Sequence, residues 1–238
     1  MKTKQLSESV FLGVCVSALK NLMESSFPQG KIPDQFKGAP EKVVNRVWGK
    51  YKSRTPFTYH DKIHILSVAS WVLHNVTRTR DISHDALYIA VLYHDVIFNP
   101  LSHANEEHSV EVMVSDLVSL GITDDFIKQI SECILDTKHD KTPKTETGKC
   151  MVDADLYSLA NPIEEVWSDT RRLWKESGRS AEDFAKGNAS FLRPIIDRPT
   201  VYYTCYMHTH ETTAWENLVS VVDRLNSGLL ESPEPVMA

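Results

Sequence analysis

Histidine is unevenly spread along this chain: of its ten histidines, seven fall between His60 and His108. Two stand four apart in Tyr59-His60-Asp61-Lys62-Ile63-His64, a spacing that places both on one helix face and directs them toward one site. His94 and Asp95 end the apolar run that begins at Ala86, so they close a segment that reads as a buried helix. Burying an imidazole beside a carboxylate is costly unless something compensates, and a divalent cation does so. Further on, Asp153-Ala154-Asp155-Leu156 sets two carboxylates around a small residue, shortly before a turn at Asn161-Pro162. Neutral nitrogen with anionic oxygen suits Mn, Fe, Co, Ni or Zn rather than Ca, with Mg also admitted, as one ion or two.

Helices must position these groups. Leu6 to Glu24 carries an apolar stripe, followed by a breaker-rich linker through Pro28, Gly30, Pro33, Gly38 and Pro40. Asp61 to Asn75 and Ala86 to Asp95 read as helices, and Asn105 is the expected N-cap of a helix that stops at Gly121. Thr123 is expected to cap Asp124 to Asp136. Asn161-Pro162 and Ser180 open two more helices, and Ala214 to Leu225 forms the last. Trp167, Trp174 and Trp215 are expected in the core. Val201 to Tyr206 stays open between strand and helix, because Val, Tyr and Thr favour strands. The expectation is an all-α bundle: an N-terminal helix and linker over 1–40, a helical domain over 41–226 and a tail over 227–238.

Composition narrows the function. Hydrophobic residues are 42% and charged residues 24% of 238, which is globular composition and excludes disorder. A net charge of -6 argues against general nucleic-acid binding, which needs a basic surface. No apolar run approaches the roughly 20 residues that span a bilayer. Val10 to Leu19 fits a helical stripe better than a signal segment, since Ser17 interrupts it and no small-x-small site follows. Cys15, Cys133, Cys150 and Cys205 lack metal-ligand spacing and read as reduced thiols, the expectation for a cytoplasmic protein.

The order His, His-Asp, Asp on successive helices resembles the ligand arrangement of the HD superfamily of metal-dependent phosphohydrolases. Tyr59 to His64 is similar to the YHxxxH element of class I cyclic nucleotide phosphodiesterases, and Val152 to Pro162 to their ADL segment. Closer still is a group of small HD proteins known mainly as predicted phosphohydrolases, which share Tyr-His-x-x-x-His, the HD helix, NEExS (Asn105 to Ser109), DADL and a late Asn-Leu (Asn217-Leu218). The likeness runs from about Val43 to Leu225. Thr58 stands where that group commonly has a basic residue, so any phosphate grip from that position is absent here or moved to Arg54 or Lys62.

The resemblance implies an HD-domain bundle in which His64, His94, Asp95 and Asp155 hold the metal. Asp155 is preferred to Asp153 because Ala154-Asp155-Leu156 matches the family element, and residues two apart do not share a helix face. It also implies that His60 protonates the leaving oxygen, and imidazole titrates nearest neutrality. Asp95 would bridge a second ion. Glu106, Glu107, His108 and His139 are candidates for a second metal or its water, with Glu107 counted among the catalytic residues. Lys62, Lys138 and Arg54 are candidates for substrate phosphate. The expected reaction is hydrolysis of a small phosphate ester, with a nucleotide favoured by the resemblance, through a cation-activated hydroxide. A di-iron oxygenase on the same scaffold and a non-catalytic helical binding module are the alternatives.

Overall fold

A computed structural model describes residues 6–52 and 58–231, and Arg54 lies outside these. Among the described residues there are ten α-helices and short 3-10 turns, with no strand. They are α1 (Glu8–Ser26), α2 (Ala39–Lys52), α3 (Lys62–Asn75), α4 (His84–Tyr93), α5 (Asn105–Ser119), α6 (Asp124–Asp136), α7 (Glu146–Leu156), α8 (Ile163–Ser177), α9 (Ala181–Asp197) and α10 (Glu211–Asn226). None of these helices is long and apolar enough to cross a membrane.

The middle of the bundle is α4. Ser83 caps its start by accepting from the Ala86 N–H, and every residue from Ala86 to Tyr93 is buried. Apart from the hydroxyls of Tyr88 and Tyr93, the latter donating to Asp116, the run is apolar all round, and α1, α6 and α7 pack around it. Each large aliphatic side chain buried there contributes about 1.5–3 kcal/mol. Phe11, Cys15, Leu19 and Met23 of α1 belong to the same core, and the Tyr51 hydroxyl of α2 donates to the Leu92 carbonyl at 3.0 Å. The linker expected to set residues 1–40 apart therefore does not separate their packing from the rest.

Two glycines are required by close approach. At Gly121, where φ is +73°, an added Cβ would stand 2.6 Å from the Phe27 ring. At Gly148, in the first turn of α7, it would stand 2.3 Å from Asp136 Oδ2.

Val201 to Tyr206 forms no strand. Two carboxylates claim the N–H groups that a sheet would use: Glu211 accepts from Val201 and Tyr202, and Asp153 accepts from Tyr203 and Thr204. Asn105 is also not an N-cap. Ala104 occupies that position, and the Asn105 side chain turns back to Asn99. Trp167 is buried as expected, whereas Trp215 is 46% exposed.

Candidate metal centre and cavity

Three segments converge at the end of α4. His64 lies in the first turn of α3, which Asp61 caps by accepting from the Ile63 and His64 N–H groups at 2.7 and 3.2 Å. His94 directly follows α4 and is 2% exposed. Its Nδ1–H donates to the Val91 carbonyl at 3.0 Å, which fixes the tautomer and turns Nε2 toward His64. The two Nε2 atoms are 3.3 Å apart. Asp95 Oδ2 stands 3.1 Å from His94 Nε2 and 3.4 Å from His64 Nε2. Asp155 Oδ1 stands 3.2 Å from His64 Nε2 and 3.5 Å from His94 Nε2.

These separations fit a cation. With bonds of roughly 2.0–2.1 Å, neighbouring ligands of one ion stand about 3.3 Å apart, and the two Nε2 atoms stand at such distances from each other and from one oxygen of each carboxylate. Among the described residues, His64, His94 and Asp155 form a set whose ligand atoms all lie within 4.8 Å of one another, and Asp95 approaches that set through the two imidazoles. The electrostatics agree. Burial opposes charge on Asp155, but the imidazoles of His139, His64 and His94 outweigh it and hold its carboxyl well below the usual range. Burial likewise opposes charge on His94, yet Asp95 and Asp155 raise its pKa well above the ordinary value. A cation would take the place of those protons.

Asp153 faces away. It is fully buried and accepts from the Tyr203 and Thr204 N–H groups at 2.8 Å each and from the Thr204 hydroxyl at 2.6 Å. Its work is to anchor the chain entering α10.

Beside the cluster opens a cavity of about 460 Å³. His60, His64, Asp95, His139 and Asp155 line its polar side, while Leu173, Phe184, Phe191, Leu192 and Val221 line the other. His60 is held by Glu176 of α8, whose Oε1 accepts from the ring Nδ1 and whose Oε2 accepts from the Thr58, Tyr59 and His60 N–H groups. Burial would raise the Glu176 carboxyl, but the His60 ring and these N–H groups prevail and lower it. Phe98 stacks on the His60 ring, the two ring centroids 3.8 Å apart.

No family model matches this chain, and no curated protein matches it. Among the solved structures that share its fold are two phosphodiesterase domains. One is the phosphodiesterase domain of the RhoPDE fusion protein from the choanoflagellate Salpingoeca rosetta, at 18% identity and a TM-score of 0.52, with 97% of this chain and 92% of that chain covered. The other is the phosphodiesterase domain of the rhodopsin phosphodiesterase from the same organism, at 18% identity and a TM-score of 0.51, covering 97% and 89%. The likeness establishes a common all-α architecture.

Of the remaining sequence candidates, His139 and Glu106 line the cavity, and His139 Nε2 meets Asp155 Oδ2 at 3.0 Å. Burial raises the Glu106 carboxyl. Lys138 also lines it, but its ammonium is committed to the His103 carbonyl and to Glu107. The structure places three other candidates away from the lining. Glu107 lies outside it and pairs with Lys138. His108 is exposed, since α5 turns that position outward. Lys62 is exposed at the start of α3 and points no charge at the cavity.

The sequence reading missed Glu176, Phe98, His103 and Arg179. Glu176 did carry a signal: an acid in the last turn of a helix opposes the macrodipole, so a tertiary partner must hold it there.

Proposed function

We propose that the protein is a metal-dependent phosphohydrolase that cleaves a small phosphate ester. The observation that carries this is the meeting of His64 from α3, His94 and Asp95 from the end of α4, and Asp155 from α7, at ligand-like separations beside a cavity that also holds the His60–Glu176 pair. The fold shared with phosphodiesterase domains supports it. A nucleotide is the favoured ester on the resemblance of the YHxxxH and DADL elements.

A cation in this centre supplies positive charge at the phosphoryl group and a water of lowered pKa. The side chains do the rest. Asp95 and Asp155 place anionic oxygens on two sides of the cluster, and His139 holds the second oxygen of Asp155. Glu176 keeps the His60 ring oriented through Nδ1, so that Nε2 delivers a proton to the departing ester oxygen. The apolar wall of α8, α9 and α10 excludes water from the organic part of the ester.

The di-iron alternative calls on His108 and His139 as extra ligands, and the exposure of His108 weighs against it. The test is phosphate or alcohol release from a panel of nucleoside monophosphates, triphosphates and cyclic nucleotides with Mn, Co, Ni or Mg. Turnover that disappears in His94→Ala and Asp155→Asn is the expected result. A metal-loaded protein that turns over none of them overturns the proposal.

A further inference from the structure

Asn105 and Ser109 belong to the NEExS element, yet neither stands among the cluster contacts. Both are buried and both reach back to the segment 97–102. Asn105 Oδ1 accepts from the Asn99 N–H at 2.8 Å and its amide donates to the Asn99 carbonyl at 3.0 Å. The Ser109 hydroxyl accepts from the Ile97 N–H at 3.1 Å. From the other side, the Arg179 guanidinium donates to the Pro100 carbonyl at 3.2 Å. Between these fastenings stands Phe98, its ring at 25° to the His60 imidazole.

A carboxylate holding one ring nitrogen leaves the imidazole free to swing about that hydrogen bond. A flat ring stacked on its face removes the swing. Arg179 and Glu176 are three residues apart at the corner between α8 and α9, so one corner supports both the carboxylate and the stacking ring. We propose that the segment 97–102 is a positioning element for His60, with Phe98 holding the imidazole in plane and Asn105, Ser109 and Arg179 fixing Phe98. This rests on the reading of His60 as proton donor to the leaving group.

That dependence sets the experiment. An ester whose alcohol is a poor leaving group needs the proton, whereas a p-nitrophenyl ester does not. Wild type, Phe98→Ala, His60→Ala and the double variant are assayed with the phenyl and p-nitrophenyl esters of the same phosphate. Phe98→Ala is expected to slow the phenyl ester about 10- to 100-fold and the p-nitrophenyl ester less than about 3-fold, since a misplaced proton donor costs on that order. In the His60→Ala background it adds less than about 2-fold, because the group it positions is gone. Phe98→Tyr, which keeps the stack, recovers most of the loss. Should Phe98→Ala fail to fold, Arg179→Ala carries the same test, with a selective loss of about 3- to 10-fold. Equal slowing of both esters, or a full further loss without His60, overturns the inference and leaves the hydrolase reading standing. Should only nucleotides be turned over, the same four proteins are compared on a nucleotide and on its p-nitrophenyl ester, with the same expected and overturning outcomes; a wild type inactive on the esters and on the nucleotide panel with every metal removes the two together.

Discussion

Asp153 and Asp155 stand two residues apart on α7 and serve opposite sides of it: Asp153 takes three hydrogen bonds from Tyr203 and Thr204, while Asp155 faces His64, His94 and His139. Exchanging each for asparagine distinguishes the two by ion binding. Asp153→Asn keeps its metal and loses about 1–3 kcal/mol of stability, the cost of a buried acceptor left partly unmatched. Asp155→Asn loses bound metal by elemental analysis, and in chelator it also gives up the stabilisation that the neighbouring imidazoles lend the carboxylate. Metal lost from Asp153→Asn instead would exchange their roles.

Glu176 predicts a kinetic effect. Glu176→Gln keeps an oxygen for the Thr58, Tyr59 and His60 N–H groups but weakens the bond to the His60 ring. The expected outcome is a fall in kcat of about 10- to 100-fold with KM changed little, read from steady-state kinetics. A change confined to KM would place Glu176 in substrate binding.

Ion binding should stabilise the fold, and more so at higher pH. In chelator, His94 has a folded pKa above its unfolded one, so its stabilising charge is present below the unfolded value and lost as pH rises through the folded one. The cation replaces that charge. At about 100 times its Kd it adds about 2.7 kcal/mol, or about 5–10 °C in Tm for a chain of this size. Melting curves in Mn and in chelator should diverge as pH increases, and curves that converge would contradict the linkage.

Asp136 carries a second pH dependence, away from the centre. Burial pushes its carboxyl up to about 6 despite the nearby Lys141. A raised acid favours folding below its unfolded pKa and loses that advantage as pH rises through the folded value, so wild type weakens between about pH 4 and 7. Asp136→Asn should escape this and gain about 1–2 kcal/mol relative to wild type by pH 8. Parallel denaturation curves for the two proteins at pH 4 and 8 would disprove it.

The candidate cluster was legible because His64, His94, Asp95 and Asp155 break local rules: each is an ionisable or ligating group set against an apolar run. Their order along the chain survives folding. The helices were legible for the same reason, since α3, α4, α6 and α10 carry caps or apolar stripes. Glu176 and Phe98 were not, because what makes each important is a partner more than thirty residues away: His60, 116 residues before Glu176, for one and His60 again for the other. Lys62 is exposed and Glu107 is paired with Lys138, since a charge next to a motif is as readily solvated or paired as aimed inward. Asn105 looked like a cap because its chemistry is that of a cap; the same amide is spent on a loop instead.

Phe11, Cys15, Leu19 and Met23 press against the helix that ends in His94 and Asp95, with the Cys15 thiol lying 3.9 Å from the Tyr88 carbonyl. Anyone trimming a fragment to its signature motifs would start at Tyr59 and discard this backing. Such a fragment would hold every ligand and still expose the flank of α4 to water, and the imidazole and carboxylate at its tip would have no rigid mount. The smallest piece that contains the chemistry is shorter than the smallest piece that can perform it.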